Sequence, residues 1–199
     1  PGGGQDNTCS PRQGGNKVTI KSGDRKFSYE PMKDFPLMPA QRAVEKRLGQ
    51  RLATKNADEA YANLEGSNGG KRLDVDLYRK LSSEYDENSD SRTLHTLSTH
   101  QPSSAKVQQR YNELLAEPAT GPVLFLAGGG GSGKSTVSEG VLKDVVDESD
   151  IIMDGVMSSQ QRAFQQIDAA IKSGRDVTIA YVHRPFEEAM AGVKKRYEN

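Results

Sequence analysis

The carboxyl-terminal half of the chain alternates short apolar runs with segments of helical periodicity. Residues 123–127 form a continuous apolar run of the kind found in buried parallel strands, and residues 150–154 and 177–182 predict two further strands. A helix is predicted after each run, and the first of these helices carries Val137, Val141 and Val145 in line. The second of these helices has Ser158 or Ser159 as its cap and stops at Gly174, and the third begins at Pro185 and carries Tyr197. This alternation predicts βαβ units and therefore an α/β fold, with a parallel sheet flanked by helices.

The amino-terminal part of the chain has a different pattern. Residues 1–16 are rich in glycine, proline and polar side chains, which predicts a flexible leader. Two alternating runs in residues 17–29 predict a β-hairpin. Residues 39–53 predict an amphipathic helix with a basic outer face, whose usual explanation is a solvated surface. We therefore divide the chain into an N-terminal extension, residues 1–66, and a core, residues 67–199.

The first part of the predicted core precedes a glycine-rich loop. Residues 66–72 predict a flexible break. Residues 73–75 predict a short strand that contains Asp74 and is followed by Asp76. A polar stretch over residues 82–92 follows. Pro102 then predicts the start of a helix, with Ser103 or Ser104 as its N-cap.

The strongest chemical signal is the run GGGGSGKS at residues 128–135, which matches the phosphate-binding pattern G-x-x-x-x-G-K-[ST]. Glycines allow successive backbone N–H groups to turn toward phosphates, which a Cβ atom would obstruct. Because the run lies between a predicted strand and a predicted helix, we interpret it as a nucleotide site and not as a linker. Lys134 would reach the β- and γ-phosphates, and Ser135 would offer its hydroxyl to Mg²⁺. The predicted nucleotide-binding residues are Gly128, Gly129, Gly130, Gly131, Ser132, Gly133, Lys134, Ser135 and Thr136.

Acidic residues near the predicted strand ends are the candidates for chemistry, and each has alternative roles. Asp154 fits a Mg²⁺-positioning aspartate, a substrate ligand or the cap of the next helix. Asp74 and Asp76 fit either a general base with its neighbour or a solvated loop. The histidines lack metal-ligand spacing, and their ordinary explanation is a surface or loop position.

The composition of the chain disfavours several classes of partner and site. The chain has 27 basic and 27 acidic side chains, and this balance disfavours a protein that coats nucleic acid. No apolar run approaches the roughly 20 residues that cross a bilayer, so no membrane role is expected. The single cysteine, Cys9, excludes an intramolecular disulfide and a cysteine-rich metal site. With no visible secretory signal, these features predict a cytoplasmic protein.

Three segments together resemble the zeta-toxin group of P-loop kinases. They are VLFLAGGGGSGKST, IIMDGVMSS, and the segment from QQRAFQQ to the last residue, Asn199. The resemblance implies an ATP- and Mg²⁺-dependent phosphotransferase that acts on a hydroxyl of a small molecule, such as a nucleotide-sugar or a dinucleotide. It also implies a toxin, or an effector delivered to another cell, with an antitoxin or inhibitor protein as partner.

The family's base segment, D-x-D-x-x-[RK], matches residues 74–79. By this resemblance Asp76 is the catalytic base, while Arg79, His100 and Asp154 face the substrate. The segment precedes the phosphate loop here but follows it in the family, which implies a circularly permuted core. Two departures accompany the match: Val156 replaces a common threonine, and Arg184 and Arg196 match none of the family's lid arginines. The resemblance therefore implies a core truncated at its carboxyl end.

Two other functions fit the phosphate loop. One is an ATPase of a mobile-element machine, in which Asp154 positions Mg²⁺ and no small acceptor exists. The other is a kinase remnant that binds ATP without turnover.

Overall fold

The computed structural model describes residues 17–155 and 157–197. Its strands are β1 (Val18–Ser22), β2 (Arg25–Tyr29), β3 (Arg72–Asp74), β4 (Val123–Ala127), β5 (Ile151–Gly155) and β6 (Val177–Tyr181). Its helices are α1 (Pro39–Leu52), α2 (Asn56–Ala62), α3 (Val75–Arg79), α4 (Ser83–Asp86), α5 (Ser89–Ala116), α6 (Lys134–Glu139), α7 (Lys143–Glu148), α8 (Gln160–Lys172) and α9 (Phe186–Tyr197). The predicted leader, Cys9 and Val156 lie outside the described residues.

A parallel sheet of four strands in the order β3-β5-β4-β6 organises the fold. All five residues of β4 are buried, which explains why this strand is apolar along its whole length. In the β3–β5 register Asp74 lies opposite Asp154, and in the β4–β5 register Ala127 lies opposite Gly155. The carboxyl ends of these strands therefore meet at one edge of the sheet. The predicted α/β class with a parallel, helix-flanked sheet is confirmed.

The amino-terminal hairpin and helix are also confirmed. Strands β1 and β2 pair antiparallel across a turn at Gly23, whose φ of 59° favours glycine. Phe27 of β2, Leu48 of α1 and Tyr61 of α2 belong to the same hydrophobic cluster as Phe125 of β4. The described part of residues 17–66 is therefore packed against the sheet, and the domain boundary at residue 66 stays a prediction.

The predicted helix start at Pro102 is wrong. Helix α5 begins at Ser89, where the Asn88 side chain accepts a hydrogen bond of 2.9 Å from the Ser91 backbone N–H. Pro102 lies inside the helix and is buried, as are Ser98 and Ser103. Proline is unfavourable there because it removes a backbone donor. Packing of α5 against α1, α3 and α4 outweighs this local preference.

Two further boundaries differ from the prediction. The helix after β4 divides into α6 and α7, because the backbone at Gly140 leaves the helical region with φ −107° and ψ −102°. Val141 is consequently 91% exposed instead of lying in line with Val137 and Val145. In addition, β3 ends at Asp74, and residue 75 begins α3. No helix in the described part of the chain is long and apolar enough to cross a membrane.

Candidate active site

The carboxyl edge of the sheet forms a cleft of about 630 Å³. The cleft brings together the phosphate loop and every residue predicted to face the substrate or act as base, namely Asp76, Arg79, His100 and Asp154. A separate cleft of about 740 Å³ lies between the hairpin, α5 and α8, and its lining includes Ser104 but none of these residues. Chemistry-bearing side chains therefore converge at the smaller cleft.

The phosphate loop has the backbone shape of an anion cradle. Gly128 has φ 152°, and a Cβ atom there would lie 2.5 Å from the carbonyl oxygen of Val182. Gly131 has φ 74°, and its Cβ would overlap the carbonyl oxygen of Ala189. Only glycine fits these two positions. The Ser132 hydroxyl is buried without a hydrogen-bond partner among the described residues. A polar cradle with an unpaired buried hydroxyl fits a phosphate group.

Lys134 is held inside the loop by groups of the protein. Its ammonium donates a hydrogen bond of 2.8 Å to the Gly128 carbonyl and lies 3.8 Å from the Asp154 carboxylate. Both partners are acceptors, as phosphate oxygens would be. Ser135 and Thr136 follow at the exposed mouth of the cleft.

Asp154 at the end of β5 has cations on two sides. Besides Lys134, the Arg72 guanidinium lies 3.9 Å from it, and only 8% of the Asp154 side chain is exposed. Burial raises the pKa of Asp154, while Lys134 and Arg72 lower it. In the cleft, the Asp154 carboxylate thus lies near two positive charges, and one of them, Lys134, belongs to the phosphate loop.

Arg72 is a site residue that the sequence analysis missed. It donates a hydrogen bond of 2.8 Å to the Ser138 hydroxyl, which in turn donates to the Ser135 carbonyl at 2.9 Å. Arg72 therefore ties β3 to the helix that follows the phosphate loop. A signal was present, because Arg72 and Asp74 flank the buried Leu73 and must share the opposite side of the strand.

Asp76 lies on the first turn of α3 and not at the end of a strand. Its backbone N–H donates a hydrogen bond of 2.6 Å to the Asp74 carboxylate, which caps the helix. The Asp76 side chain is 72% exposed and accepts a hydrogen bond of 2.5 Å from Arg79. Tyr78 of the same helix is buried, and its ring stacks on the Tyr61 ring with centroids 3.7 Å apart. Helix α3 is thus anchored by a buried aromatic pair while its Asp76 carboxylate stays exposed at the cleft.

Arg79 also fixes the protonation state of His100. The guanidinium lies 2.8 Å from His100 Nδ1, and a guanidinium can only donate, so Nδ1 accepts. Burial, followed by the positive charge of Arg79, lowers the pKa of His100. His100 is therefore neutral with its proton on Nε2, and it contributes a donor to the cleft.

A comparison with known protein families finds a match in the carboxyl-terminal part of the chain. A family model described as zeta toxin matches residues 145–199. The carboxyl-terminal segment of this chain is therefore similar to zeta toxins. The zeta-toxin segment includes Asp154, β6 and α9, whereas the phosphate loop, Asp76, Arg79 and His100 precede it. No curated protein matches the chain. The zeta-toxin match points to phosphotransferase chemistry of the P-loop kinase type and does not identify an acceptor.

The carboxyl of Asp74 provides a pH-dependent test of the site. Burial raises its pKa to about 6, and the Asp154 and Asp76 carboxylates act in the same direction. In an unfolded chain the value is roughly 3.9. Because the folded state holds the proton more tightly, the protein loses stability as the pH rises from about 4 to about 6.

We therefore expect Asp74→Asn to remove this loss, since an asparagine oxygen can still cap α3. The variant's free energy of unfolding, relative to the parent's, should be higher at pH 7 than at pH 4 by about 3 kcal/mol. Urea unfolding at the two pH values measures the difference. A difference that does not change with pH would contradict the raised pKa of Asp74.

Proposed function

We propose that this chain transfers the γ-phosphoryl group of ATP to a hydroxyl of a small molecule, such as a nucleotide-sugar or a dinucleotide. One observation carries the proposal: Asp76 and the phosphate loop line the same cleft although they are far apart in the chain. The zeta-toxin match supports the same class of reaction. Phosphoryl transfer requires mainly positioning and charge stabilisation, which this arrangement of residues offers.

Each side chain has a role that follows from its surroundings. Lys134 and the loop amides would bind the triphosphate, exchanging the Gly128 carbonyl and Asp154 for phosphate oxygens. Asp76, exposed and reachable, would accept the proton of the acceptor hydroxyl. Arg79 orients Asp76, and His100 would donate a hydrogen bond from Nε2 to the acceptor.

A magnesium ion would be held at the mouth of the cleft by the hydroxyl of Ser135, an exposed residue beside the cradle. Bound there, Mg²⁺ would neutralise charge on the phosphates. Among the described residues no group of three or more histidine, cysteine or acidic side chains forms a separate metal site.

The strand order supports a permuted core. Strand β3 precedes the phosphate loop in the chain, yet it lies at the edge of the sheet beyond β5, which follows the loop. The base segment therefore lies next to β5 in the sheet. A strand that came between α6 and β5 in the chain could occupy the same position in the sheet. We propose permutation on this basis. An antitoxin partner stays a prediction that the family match alone supports.

An ATP-consumption assay with a panel of nucleotide-sugars and dinucleotides tests the proposed function. We expect little consumption with ATP and Mg²⁺ alone and a clear stimulation by at least one acceptor, with phosphate incorporated into it. Consumption that no acceptor stimulates would instead favour an ATPase. Binding without any consumption would favour the kinase remnant.

The ATPase is a second candidate because Asp154 ends the strand next to the loop strand and lies 3.8 Å from Lys134. We expect Asp154→Asn to lower transfer about tenfold through weaker acceptor binding, while Mg²⁺-dependent ATP binding changes little. Calorimetric titration with ATP, with and without Mg²⁺, measures this. Loss of the metal-dependent part of ATP binding would identify Asp154 as the Mg²⁺ aspartate and favour the ATPase.

A further inference from the structure

Arg184 is an exposed residue that lies against the phosphate loop, on the side of strand β6. It stands between the end of β6 and the start of α9. A Cβ atom built on Gly133 would lie 3.2 Å from Arg184 Nη2, and one built on Gly192 of α9 would lie 3.9 Å from Nη1. The guanidinium therefore sits between the loop and α9. Although other arginines near the cleft are paired, Arg184 forms no hydrogen bond or ion pair with the part of the chain that the structure describes.

The backbone near Arg184 is fixed by direct packing on the loop. The Val182 N–H donates a hydrogen bond of 2.8 Å to the Ala127 carbonyl, just before the loop begins. The Val182 and Ala189 carbonyls approach Gly128 and Gly131 so closely that neither glycine could carry a side chain. The β6–α9 connection and the loop thus pack directly against each other, and this packing fixes the backbone at Arg184.

The sheet order gives Arg184 a direction relative to the chemistry. Strands β5 and β3, which carry Asp154 and Asp74, lie on one side of β4, and β6 lies on the other. The loop follows β4 and lines the cleft, whereas Arg184 does not line the cleft and approaches the loop at Gly133. A triphosphate held by the loop with its γ-phosphate facing Asp76 extends its nucleoside end away from Asp76, toward the β6 side.

We propose that Arg184 binds the α- and β-phosphates of the nucleotide from the flank opposite the acceptor. This inference rests on the proposed function, since it takes the direction of ATP from the position of Asp76. An unpaired guanidinium next to Gly133, the residue before Lys134, adds positive charge at the loop, and its planar donors suit phosphate oxygens. Arg184 is thereby a nucleotide-binding residue outside the phosphate-loop motif.

Equilibrium binding of ATP and ADP, each with Mg²⁺, to the full chain tests this. We expect Arg184→Ala to weaken both nucleotides equally, by about tenfold to a hundredfold, because the contact involves phosphates that both contain. Arg184→Lys should recover part of the affinity. Arg51→Ala, which removes an exposed arginine at the end of α1, should leave both affinities unchanged. Thermal unfolding checks the fold, and if Arg184→Ala unfolds, the longer Arg184→Gln replaces it.

The outcomes separate this inference from the proposed function. Loss of ATP affinity with unchanged ADP affinity would place Arg184 at the γ-phosphate and overturn the proposal. Unchanged affinity for both nucleotides, in a chain where Lys134→Ala abolishes binding, would overturn the role of Arg184 and leave the kinase intact. A parent chain that binds neither nucleotide would overturn both.

Discussion

Lys134→Ala should weaken ATP binding by about a hundredfold or more and reduce turnover below detection, with little change in stability. Among the described residues the lysine's polar contacts are the Gly128 carbonyl and Asp154, and neither belongs to the hydrophobic clusters. Its side chain is 19% exposed and lies at the cleft. Removing it takes away one of the two cations that lie near Asp154 in the described part of the chain, and Arg72 is the other.

Calorimetric titration with ATP measures the binding loss, and thermal unfolding measures stability. Lys143→Ala is the matched control, because Lys143 is an exposed lysine of the next helix whose ion-pair partner is Asp147. The control should bind ATP like the parent. If Lys134→Ala also binds and turns over ATP like the parent, residues 128–135 are not a nucleotide site.

Asp76→Asn should lower phosphoryl transfer by about 10²–10⁴ while ATP affinity stays within a few fold of the parent. An asparagine can still accept the hydrogen bond from Arg79 but cannot take a proton from the acceptor. The side chain is exposed and ion-paired with Arg79 alone among the described residues, so the loop should keep its shape. Single-turnover transfer to the stimulating acceptor measures the chemical step.

Asp86→Asn controls for the loss of an exposed arginine–aspartate pair, since Asp86 accepts a hydrogen bond of 3.0 Å from Arg92 outside the cleft. Its transfer rate should equal the parent's. An Asp76→Asn variant with full transfer activity would exclude Asp76 as the base. Together with an Asp154→Asn variant that no longer binds ATP in a metal-dependent way, it would favour the ATPase.

The features that the sequence predicted well are those fixed by local patterns. Strand β4 is buried on all sides, so its five residues form an apolar run that needs no knowledge of its neighbours. Ser159 caps α8 through its side chain, as expected from a serine before a helical pattern. The phosphate loop was predictable for a similar reason, because the backbone conformation of the loop itself requires its glycines.

Features that depend on distant parts of the chain were harder to predict. Helix α5 continues through Pro102 because tertiary packing stabilises the segment before the proline. Arg72 contacts Ser138 and Asp154 only because β3 pairs with β5, and the sequence of neither strand predicts this pairing by itself. Arg184 lacks any motif, and its approach to Gly133 becomes visible only when α9 is seen packed on the loop.

The place of β3 also has a consequence for the order in which the site is assembled during synthesis. In the described sheet β3 lies at the edge and pairs only with β5, so Arg72 must wait for Ile152, its register partner. On the ribosome, the segment bearing Asp76 emerges first and has no neighbouring strand until β5 has left the exit tunnel. Such pairings between distant segments form slowly, since a long loop must close first. A nascent chain that ends before β5 therefore carries both the base and the phosphate loop without the strand that seats one against the other.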